Sequence, residues 1–385
     1  MTGPDQLLEA LSADGLRRAL QPLDGPHGPR VVRDGRELWN FASNDYLGMA
    51  RHPAVRAAFH EGLDRYGHGA AASRLITGSQ PPHAALEETI AAAKATGAAL
   101  TFSSGFAAAT GIIPAIVGKG DFILLDKLAH ACLIDGAKLS QATLRVFPHN
   151  DLDQLELRLK KLRARHPGAR ILIITESVFS MDGDLCPLRE IVELKDHHEA
   201  HLLLDEAHGF GVHGPTGMGL AEEEGLQDRV DFQMGTLGKA AGLAGAYLAC
   251  SKTWRDLLIN RARSFIFSTA PPPALAHAAV AAVEVLRSAE GDQLRENLRG
   301  HIDHMRPGHS SPIIPHVLGD NRAALNAAAG LADRGFLVPA IRYPTVPRNT
   351  ARLRISLSAA HPPEAVDQLM HRIGELSAKS GMAKE

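Results

Sequence analysis

Residues 231–242 read DFQMGTLGKAAG, a short apolar segment that runs into a turn with glycines on both sides of a single lysine, Lys239. No acidic residue lies between Asp231 and Asp256 to pair with that lysine. An ammonium group in an apolar setting has to be paired, neutralised or covalently used, and flanking glycines let the backbone approach another group closely. The stretch therefore predicts a lysine of lowered pKa that can act as a base or as a Schiff-base amine.

Two other interpretations of the Gly-Lys pair have to be weighed. A phosphate-binding loop needs a glycine five residues before the second glycine and a Ser or Thr after the lysine. This chain has Gln233 and Ala240 at those positions, which excludes that motif. A solvated surface lysine in a turn stays possible until the rest of the chain is considered.

Composition sets the broad class of the protein. The 385 residues are 45% hydrophobic and 22% charged, with a net charge of −2, as in an ordinary soluble globular protein of roughly two or three domains. Near-neutral charge gives no electrostatic reason to expect nucleic acid or an anionic membrane as partner. Three scattered cysteines and a polar, acidic N-terminus favour a reducing, cytoplasmic setting.

The twenty histidines raise the question of a metal site. The best cluster is His197, His198 and His201, but His201 opens a predicted strand, so the three cannot share one helix face. The sequence contains neither a CxxC nor an HExxH motif. We therefore expect no metal.

From about residue 43 to 270, apolar strand patterns alternate with helical ones, which is typical of a mainly parallel sheet covered by helices on both faces. A Pro-rich break at residues 271–273 precedes long helices and a smaller α+β portion. The predicted domains are 1–42 (a helix over Leu7–Leu20 and a hairpin at Asp34-Gly35), 43–272 (the large domain) and 273–385. The predicted strands of the large sheet are 98–102, 122–125, 144–147, 171–175, 202–204, 232–235 and 246–249.

Polar residues follow the predicted strands at their carboxyl ends, where open α/β sheets bind ligands. They are Ser103-Ser104-Gly105-Phe106, His130, Ser180, Asp205 with His208, and Thr236 with Lys239. The first group joins a strand to a helix, so its backbone N–H groups suit a phosphate. A buried Asp205 needs a cationic partner, which the protonated ring nitrogen of a heterocycle would provide.

One motif in this region is a decoy. Residues 209–214 match the dinucleotide fingerprint GxGxxG after a strand, but that fingerprint should open a helix at once. Residues 215–219 instead contain a proline and two glycines and predict a continuing loop. A nicotinamide- or flavin-dependent oxidoreductase is therefore disfavoured.

The chain resembles a known family, the α-oxoamine synthases, which are pyridoxal-phosphate (PLP) enzymes of the aspartate-aminotransferase fold. The matching motifs run almost from end to end: residues 43–48, 73–78, 102–106, 180–184, 205–209, 235–240 and 268–272. The resemblance implies a large, mainly parallel seven-stranded sheet domain and a smaller C-terminal α+β domain.

The resemblance also implies roles for the residues singled out above. Lys239 would carry PLP as a Schiff base, Asp205 would pair with the pyridinium nitrogen, and His208 would hydrogen-bond the ring hydroxyl. His130 would stack on the ring and could donate to an oxyanion of the bound substrate. The remaining cofactor contacts would come from Gly105, Phe106, Ser180, Thr236 and, across a homodimer interface, Thr269.

Within the family, residues 13–18 and 340–347 are most similar to the biotin-pathway member, which joins L-alanine to a pimeloyl thioester of coenzyme A or carrier protein. Arg354 and Asn44 would bind the amino acid, and Arg17 and Thr345 the acyl substrate. A sibling synthase that uses glycine and another acyl thioester stays open, as does a non-catalytic partner subunit.

Four positions depart from the family pattern: Ala109 stands for a usual Asn, Cys132 for Ser, Met218 for Arg and Tyr343 for Pro.

Overall fold

The computed structural model describes residues 3–379, which form two compact units. The large unit comprises residues 49–180 and 184–296, and the small unit comprises residues 3–48, 181–183 and 297–379. The strands are β1 (Arg30–Arg33), β2 (Arg36–Asn40), β3 (Ala98–Phe102), β4 (Phe122–Asp126), β5 (Thr143–Phe147), β6 (Ile171–Glu176), β7 (His201–Asp205), β8 (Phe232–Thr236), β9 (Ala246–Cys250), β10 (Ile313–Gly319), β11 (Phe336–Leu337), β12 (Ala340–Ile341) and β13 (Ala351–Ser356).

Helices precede β1, follow β13 and form most of the connections between strands. They are α1 (Pro4–Ala13), α2 (Pro53–Tyr66), α3 (Pro81–Ala93), α4 (Gly105–Ile116), α5 (Ala131–Leu139), α6 (Leu152–Arg165), α7 (Leu188–His197), α8 (Leu220–Glu223), α9 (Lys252–Arg261), α10 (Arg263–Ile266), α11 (Pro273–Leu286), α12 (Ala289–Met305), α13 (Asn321–Asp333) and α14 (Pro363–Lys379). Not one of the helices in residues 3–379 is long and apolar enough to span a bilayer.

The large unit is built on a seven-stranded sheet in the order β3-β9-β8-β7-β6-β4-β5. Strand β9 runs antiparallel to both of its neighbours, and the other paired strands are parallel. All seven predicted strands are confirmed, with ends shifted by at most one residue. Their apolar runs, such as 171–174 and 202–204, are fully buried because helices cover both faces of the sheet.

Helix α11 belongs to the large unit, since it packs on α2 and α3. Gly62 permits a close approach of α2 and α11, because a Cβ there would lie 2.9 Å from the Cα of Ala274. The contacts thus divide the chain differently from the predicted bounds 1–42, 43–272 and 273–385. The Pro-rich break starts a helix without starting a new unit, because the helix finds its apolar partners in the large unit.

The small unit contains two three-stranded sheets, ordered β1-β2-β11 and β10-β13-β12. The β1–β2 hairpin turns at Asp34 and Gly35, whose φ angles of 53° and 73° fit the tight turn that the sequence predicts. Residues 181–183 join this unit because Asp182 pairs with Arg352 of β13.

The N-terminal helix is shorter than predicted. Helix α1 ends at Ala13, and Gly15 has a φ of +65°, so the apolar Leu16 and Leu20 do not continue it. The leucine spacing alone overestimated the helix, because an Asp-Gly pair stops the helix more strongly than two leucines extend it.

Candidate active site

The carboxyl ends of the central strands bring the predicted residues to one edge of the large sheet. Ala246, the first residue of β9, lies between Phe102 at the end of β3 and Thr236 at the end of β8. Asp205 and Glu176 face each other at the ends of β7 and β6. Adjacent strands lie about 4.8 Å apart, so the residues that follow these strands share a single cleft edge.

Lys239 lies in the turn after β8, with its ammonium group directed at a histidine. Its Nζ is 2.7 Å from Nε2 of His208, a side chain only 4% exposed. The turn is held by the Leu237 N–H, which donates to the carbonyl of Gly245, and by the Gly242 N–H, which donates to the carbonyl of Lys239. Lys239 itself is half-buried, which removes the alternative of a solvated surface lysine.

Asp205 is a buried carboxyl group at the end of β7, with 4% of its surface exposed. Its Oδ1 accepts the Ala207 N–H at 2.9 Å. Burial raises the pKa of Asp205 to about 6, although the positive charge of Lys239 and the Ala207 hydrogen bond act in the opposite direction. A carboxyl group in this position gains most from a cationic partner that enters the cleft.

His130 caps the N-terminus of α5 with its ring. Nδ1 accepts the backbone N–H of Cys132 at 3.2 Å, and the Cys132 Sγ lies 3.0 Å away. Because a backbone N–H can only donate, the neutral ring carries its proton on Nε2. His130 is exposed as a residue, yet neighbouring atoms desolvate its ring enough to lower its pKa, and the charge of Lys239 lowers it further. At neutral pH the ring is thus an uncharged Nε2–H donor.

Cys132 remains a thiol in this setting. Burial raises its pKa to about 12, with further contributions from Asp205 and Glu176. The cysteine therefore takes the place of the usual serine without adding a reactive thiolate.

Helix α4 directs its N-terminus to the same edge of the sheet. Its cap is Ser104, whose Oγ accepts the Ala107 N–H at 3.1 Å. The N–H groups of Gly105 and Phe106 begin the helix and have no intrahelical partner, and a Cβ on Gly105 would meet nothing within 4 Å. Nearby, the Thr236 hydroxyl donates to the carbonyl of Gly245 and accepts the Gly238 N–H. Space and donors for an anion are both present.

Ser180 and Thr269 lie in loops. Ser180 is half-buried between Val178 and Leu185, which form an isolated β-bridge. Thr269 is exposed and pairs through its backbone with Ser73. Its role towards a neighbouring subunit stays a prediction.

Sequence reasoning missed a histidine that fixes the Ser180 loop. His149 lies 3.0 Å from Asp126 through Nδ1 and 2.7 Å from Asp184 through Nε2, and its ring packs edge-on against Phe179. Burial lowers the pKa of His149, but hydrogen bonds to the two carboxylates outweigh burial and raise it to about 9. The sequence signal is a histidine two residues after the end of β5, which by itself indicates little.

The contacts of His149 with Asp126 and Asp184 predict that the protein loses stability as the pH rises. A histidine whose pKa rises on folding from about 6.5 stabilises the folded state fully below that pH. This stabilisation is lost as the pH rises through the folded-state pKa of about 9. We expect His149→Gln to lower the free energy of unfolding by about 2–3 kcal/mol at pH 6 and to have little effect at pH 10. Denaturant unfolding across this pH range measures the difference in unfolding free energy between the variant and wild type. His60→Gln, on the exposed face of α2, is the control. A loss of unfolding free energy that stays constant from pH 6 to 10 would contradict the raised pKa of His149.

In the small unit, Arg354 of β13 is 5% exposed and held by three oxygens. Nη1 donates to Ser356 Oγ at 2.8 Å, and Nη2 donates to Asn44 Oδ1 at 3.2 Å and to the Tyr46 hydroxyl at 3.5 Å. Burial raises the pKa of Tyr46, so the phenol stays protonated. The predicted pair Arg354 and Asn44 is therefore in direct contact.

The predicted acyl-binding residues lie on two segments that meet in the small unit. Thr345 contacts Arg18, whose Nη2 donates to Oγ1 at 3.3 Å. Arg17 offers its carbonyl to Arg342 Nη2 at 3.0 Å. The sequence prediction assigned the acyl substrate to Arg17 and Thr345 and gave no role to Arg18 and Arg342, although both lie in the stretches 13–18 and 340–347 that carry the resemblance. Tyr343, one of the departures from the family, stacks under the guanidinium group of Arg348.

The departure at Met218 has a structural counterpart. Met218 is buried, and its carbonyl accepts the Lys94 ammonium, which also lies 3.7 Å from Glu206. A buried cation next to Glu206 thus comes from Lys94, at the end of α3. Ala109 is fully buried inside α4, where a larger polar residue is replaced by a methyl group.

The predicted GxGxxG decoy is a loop. Residues 209–219 form turns, with positive φ at Gly211 and Gly214, and no helix begins before Leu220. This geometry lacks the helix N-terminus that a dinucleotide pyrophosphate requires. Among residues 3–379, no group of three or more His, Cys, Asp or Glu side chains could hold a metal ion.

Comparison with known proteins places the chain in a family. The model of the class I and II aminotransferases matches residues 36–373. An 8-amino-7-oxononanoate synthase of Anaeromyxobacter dehalogenans is 49% identical over 370 residues, which cover 94% of this chain and 92% of that protein.

Solved structures agree with this placement. Serine palmitoyltransferase of S. paucimobilis with bound PLP and myriocin superposes with a TM-score of 0.91 at 29% identity, covering 98% of this chain and 97% of that one. An 8-amino-7-oxononanoate synthase of Francisella tularensis superposes with a TM-score of 0.74 at 28% identity, covering 89% and 98%. The chain therefore belongs to the class I and II aminotransferase family and, within it, to the PLP-dependent α-oxoamine synthases.

Proposed function

We propose that the protein is an 8-amino-7-oxononanoate synthase, which condenses L-alanine with a pimeloyl thioester and releases CO2. The observation that carries the proposal is the contact between Lys239 Nζ and His208 Nε2 at the sheet edge that also holds the buried Asp205. The 49% identity to a relative of that name supports the choice of substrate.

The residues of the large unit fit PLP. Asp205 is a buried carboxyl group whose raised pKa marks it as short of a cationic partner, and a protonated ring nitrogen supplies one. The N-terminus of α4 opens onto free space at Gly105, which suits a phosphate. Lys239 would hold the aldehyde carbon, His208 the ring hydroxyl, and His130 the ring face. Gly105, Phe106, Ser180 and Thr236 complete the set, with Thr269 serving a neighbouring subunit.

Bound PLP supplies an electron sink for the charge that develops at the Cα of the amino acid. The Lys239 amine acts as the base that removes the Cα proton of L-alanine. An ionised Asp205 would hold the ring nitrogen of the cofactor in its protonated form, which favours electron withdrawal by the ring. His130 donates its Nε2 proton in a hydrogen bond to the thioester oxygen as negative charge develops there.

The small unit supplies the substrate residues of the proposal. Arg354 offers a planar guanidinium group that Asn44 and Tyr46 hold in place, and such a group binds the alanine carboxylate through two hydrogen bonds. Arg17 and Thr345 contact the acyl substrate, and Arg18 and Arg342 add positive charge along the same segments. A terminal carboxylate on the acyl chain suits this surface.

The assembly and location are also proposals. A homodimer with active sites at the subunit interface follows from the role assigned to Thr269, and a cytoplasmic enzyme follows from the absence of any reason to expect disulfides among Cys132, Cys186 and Cys250. The acyl group rides on coenzyme A or on carrier protein.

A sibling activity is the second candidate, because the superposition with serine palmitoyltransferase has the higher TM-score. The test is a matrix of amino acids (alanine, glycine and serine) against acetyl, succinyl, palmitoyl and pimeloyl thioesters, with release of free thiol as the readout. We expect alanine with the pimeloyl thioester to give kcat/KM at least about 100-fold above any other pair, a discrimination of about 3 kcal/mol. Highest turnover with glycine or serine would assign a sibling synthase.

A further inference from the structure

We propose that Glu176 is a positioning residue of this site: its carboxyl group accepts the backbone N–H of His130 and lies beside Asp205 in a buried acidic pair. The proposal rests on the PLP-binding part of the proposed function and is independent of the choice of acyl thioester. Glu176 has no part in the mechanism described above.

The geometry places Glu176 between two functional residues. It ends β6 directly opposite Asp205, which ends β7, and residues paired in this way project to the same side of a sheet. Glu176 is 2% exposed and Asp205 4%. On its other side, Glu176 Oε1 accepts the backbone N–H of His130 at 2.5 Å.

Two adjacent buried carboxyl groups do not both ionise easily. The groups that face Glu176 are Asp205, Lys239, Asp126 and the His130 N–H. Burial and the charge of Asp205 raise the pKa of Glu176 well above its usual value, while Lys239 and the His130 hydrogen bond only partly oppose this. Burial raises the pKa of Asp205 to about 6, while the positive charge of Lys239 and the hydrogen bond from the Ala207 N–H act in the opposite direction. The shared proton therefore resides on Glu176.

This arrangement has two consequences for the site. The negative charge is confined to Asp205, the carboxylate that would pair with the cofactor ring nitrogen. The hydrogen bond from the His130 N–H to Glu176 fixes the backbone of His130, the N-cap residue of α5. The Cys132 N–H donates to Nδ1 of the His130 ring. The backbone and the ring of His130 are thus both held by hydrogen bonds, which fixes the direction in which its Nε2–H points.

The test compares Glu176→Gln with Glu176→Ala in the PLP-loaded enzyme. Glutamine has the shape and neutral charge of a protonated glutamate and keeps an acceptor for the His130 N–H. We expect Glu176→Gln to keep the pH titration of the bound-PLP absorbance and to hold kcat/KM within about threefold of wild type. Glu176→Ala loses the acceptor, and we expect kcat to fall about 10- to 100-fold with little change in the KM for alanine. Glu193→Gln, an exposed substitution on α7, is the matched control.

Three results would overturn the inference. A Glu176→Gln titration shifted as far as that of Glu176→Ala would show that the folded protein uses a charged Glu176. A Glu176→Ala enzyme with wild-type kcat would remove the positioning role. Equal losses of PLP affinity and kcat in both variants would indicate a purely structural role. Failure of the wild-type protein to bind PLP at all would instead reject the proposed function, so the two failures are distinct.

Discussion

Lys239→Ala is expected to abolish turnover and to remove the visible absorbance of covalently held PLP. The substitution deletes both the amine that holds the cofactor and the base that takes the Cα proton, and a general base alone is worth about 10²–10⁴-fold. Lys239 is the single lysine between Lys195 and Lys252, so the turn holds no other ammonium group that could replace it. Steady-state turnover of alanine with pimeloyl thioester and an absorbance spectrum of the purified protein measure the effect.

A control separates this loss from a change in folding. Lys252→Ala removes an exposed lysine at the start of α9, so it should leave turnover and spectrum unchanged. Circular dichroism of both variants should match wild type, because the Lys239 side chain fills no part of the hydrophobic core. Near-normal turnover of Lys239→Ala would reject the proposed mechanism.

Asp205→Asn is expected to slow removal of the alanine Cα proton by about 10²–10⁴-fold while PLP still binds. Asparagine keeps the volume of the side chain and an acceptor for the Ala207 N–H. It carries no charge, so the ring nitrogen of the cofactor would lose its proton and the ring much of its capacity to withdraw electrons. Exchange of the alanine Cα hydrogen for deuterium, followed by NMR in the absence of acyl thioester, isolates this step from the later condensation.

The matched control is Asp153→Asn on the exposed first turn of α6. It should leave the exchange rate unchanged, because it lies on a surface helix. If Asp205→Asn exchanged the Cα hydrogen at the wild-type rate, Asp205 would have no role in keeping the ring protonated. Loss of PLP binding in Asp205→Asn would point to a role in holding the cofactor alone.

The central sheet and the order of its site residues were predictable from the sequence because two local signals agree. Apolar runs such as 202–204 are too short for helices and too continuous for one-sided strands, so they indicate strands buried on both faces. Chemistry-bearing residues then follow the strands at their carboxyl ends, where a parallel sheet gathers its ligands. The combination of these two signals identified His130, Asp205, His208 and Lys239.

Glu176 and His149 show where this reasoning stops. Glu176 was within reach of the same argument, since it ends a buried strand, but the following Ser177 and Val178 gave no sign that its carboxyl group is paired with Asp205. The pairing depends on the register of β6 against β7, which is a property of the whole sheet. His149 reaches Asp126 and Asp184 across 23 and 35 residues, and no local pattern encodes contacts of that separation.

The sequence by itself determined the strands, the strand-end residues and the resemblance to a family, because these depend on local composition and residue order. Only the tertiary structure decided which carboxyl groups lie side by side, which residues hold the Ser180 loop, and that α11 packs with the large unit. The physical reason is that burial and charge interactions depend on distances between segments far apart in the chain, and a pKa or a packing partner exists only once those distances are set.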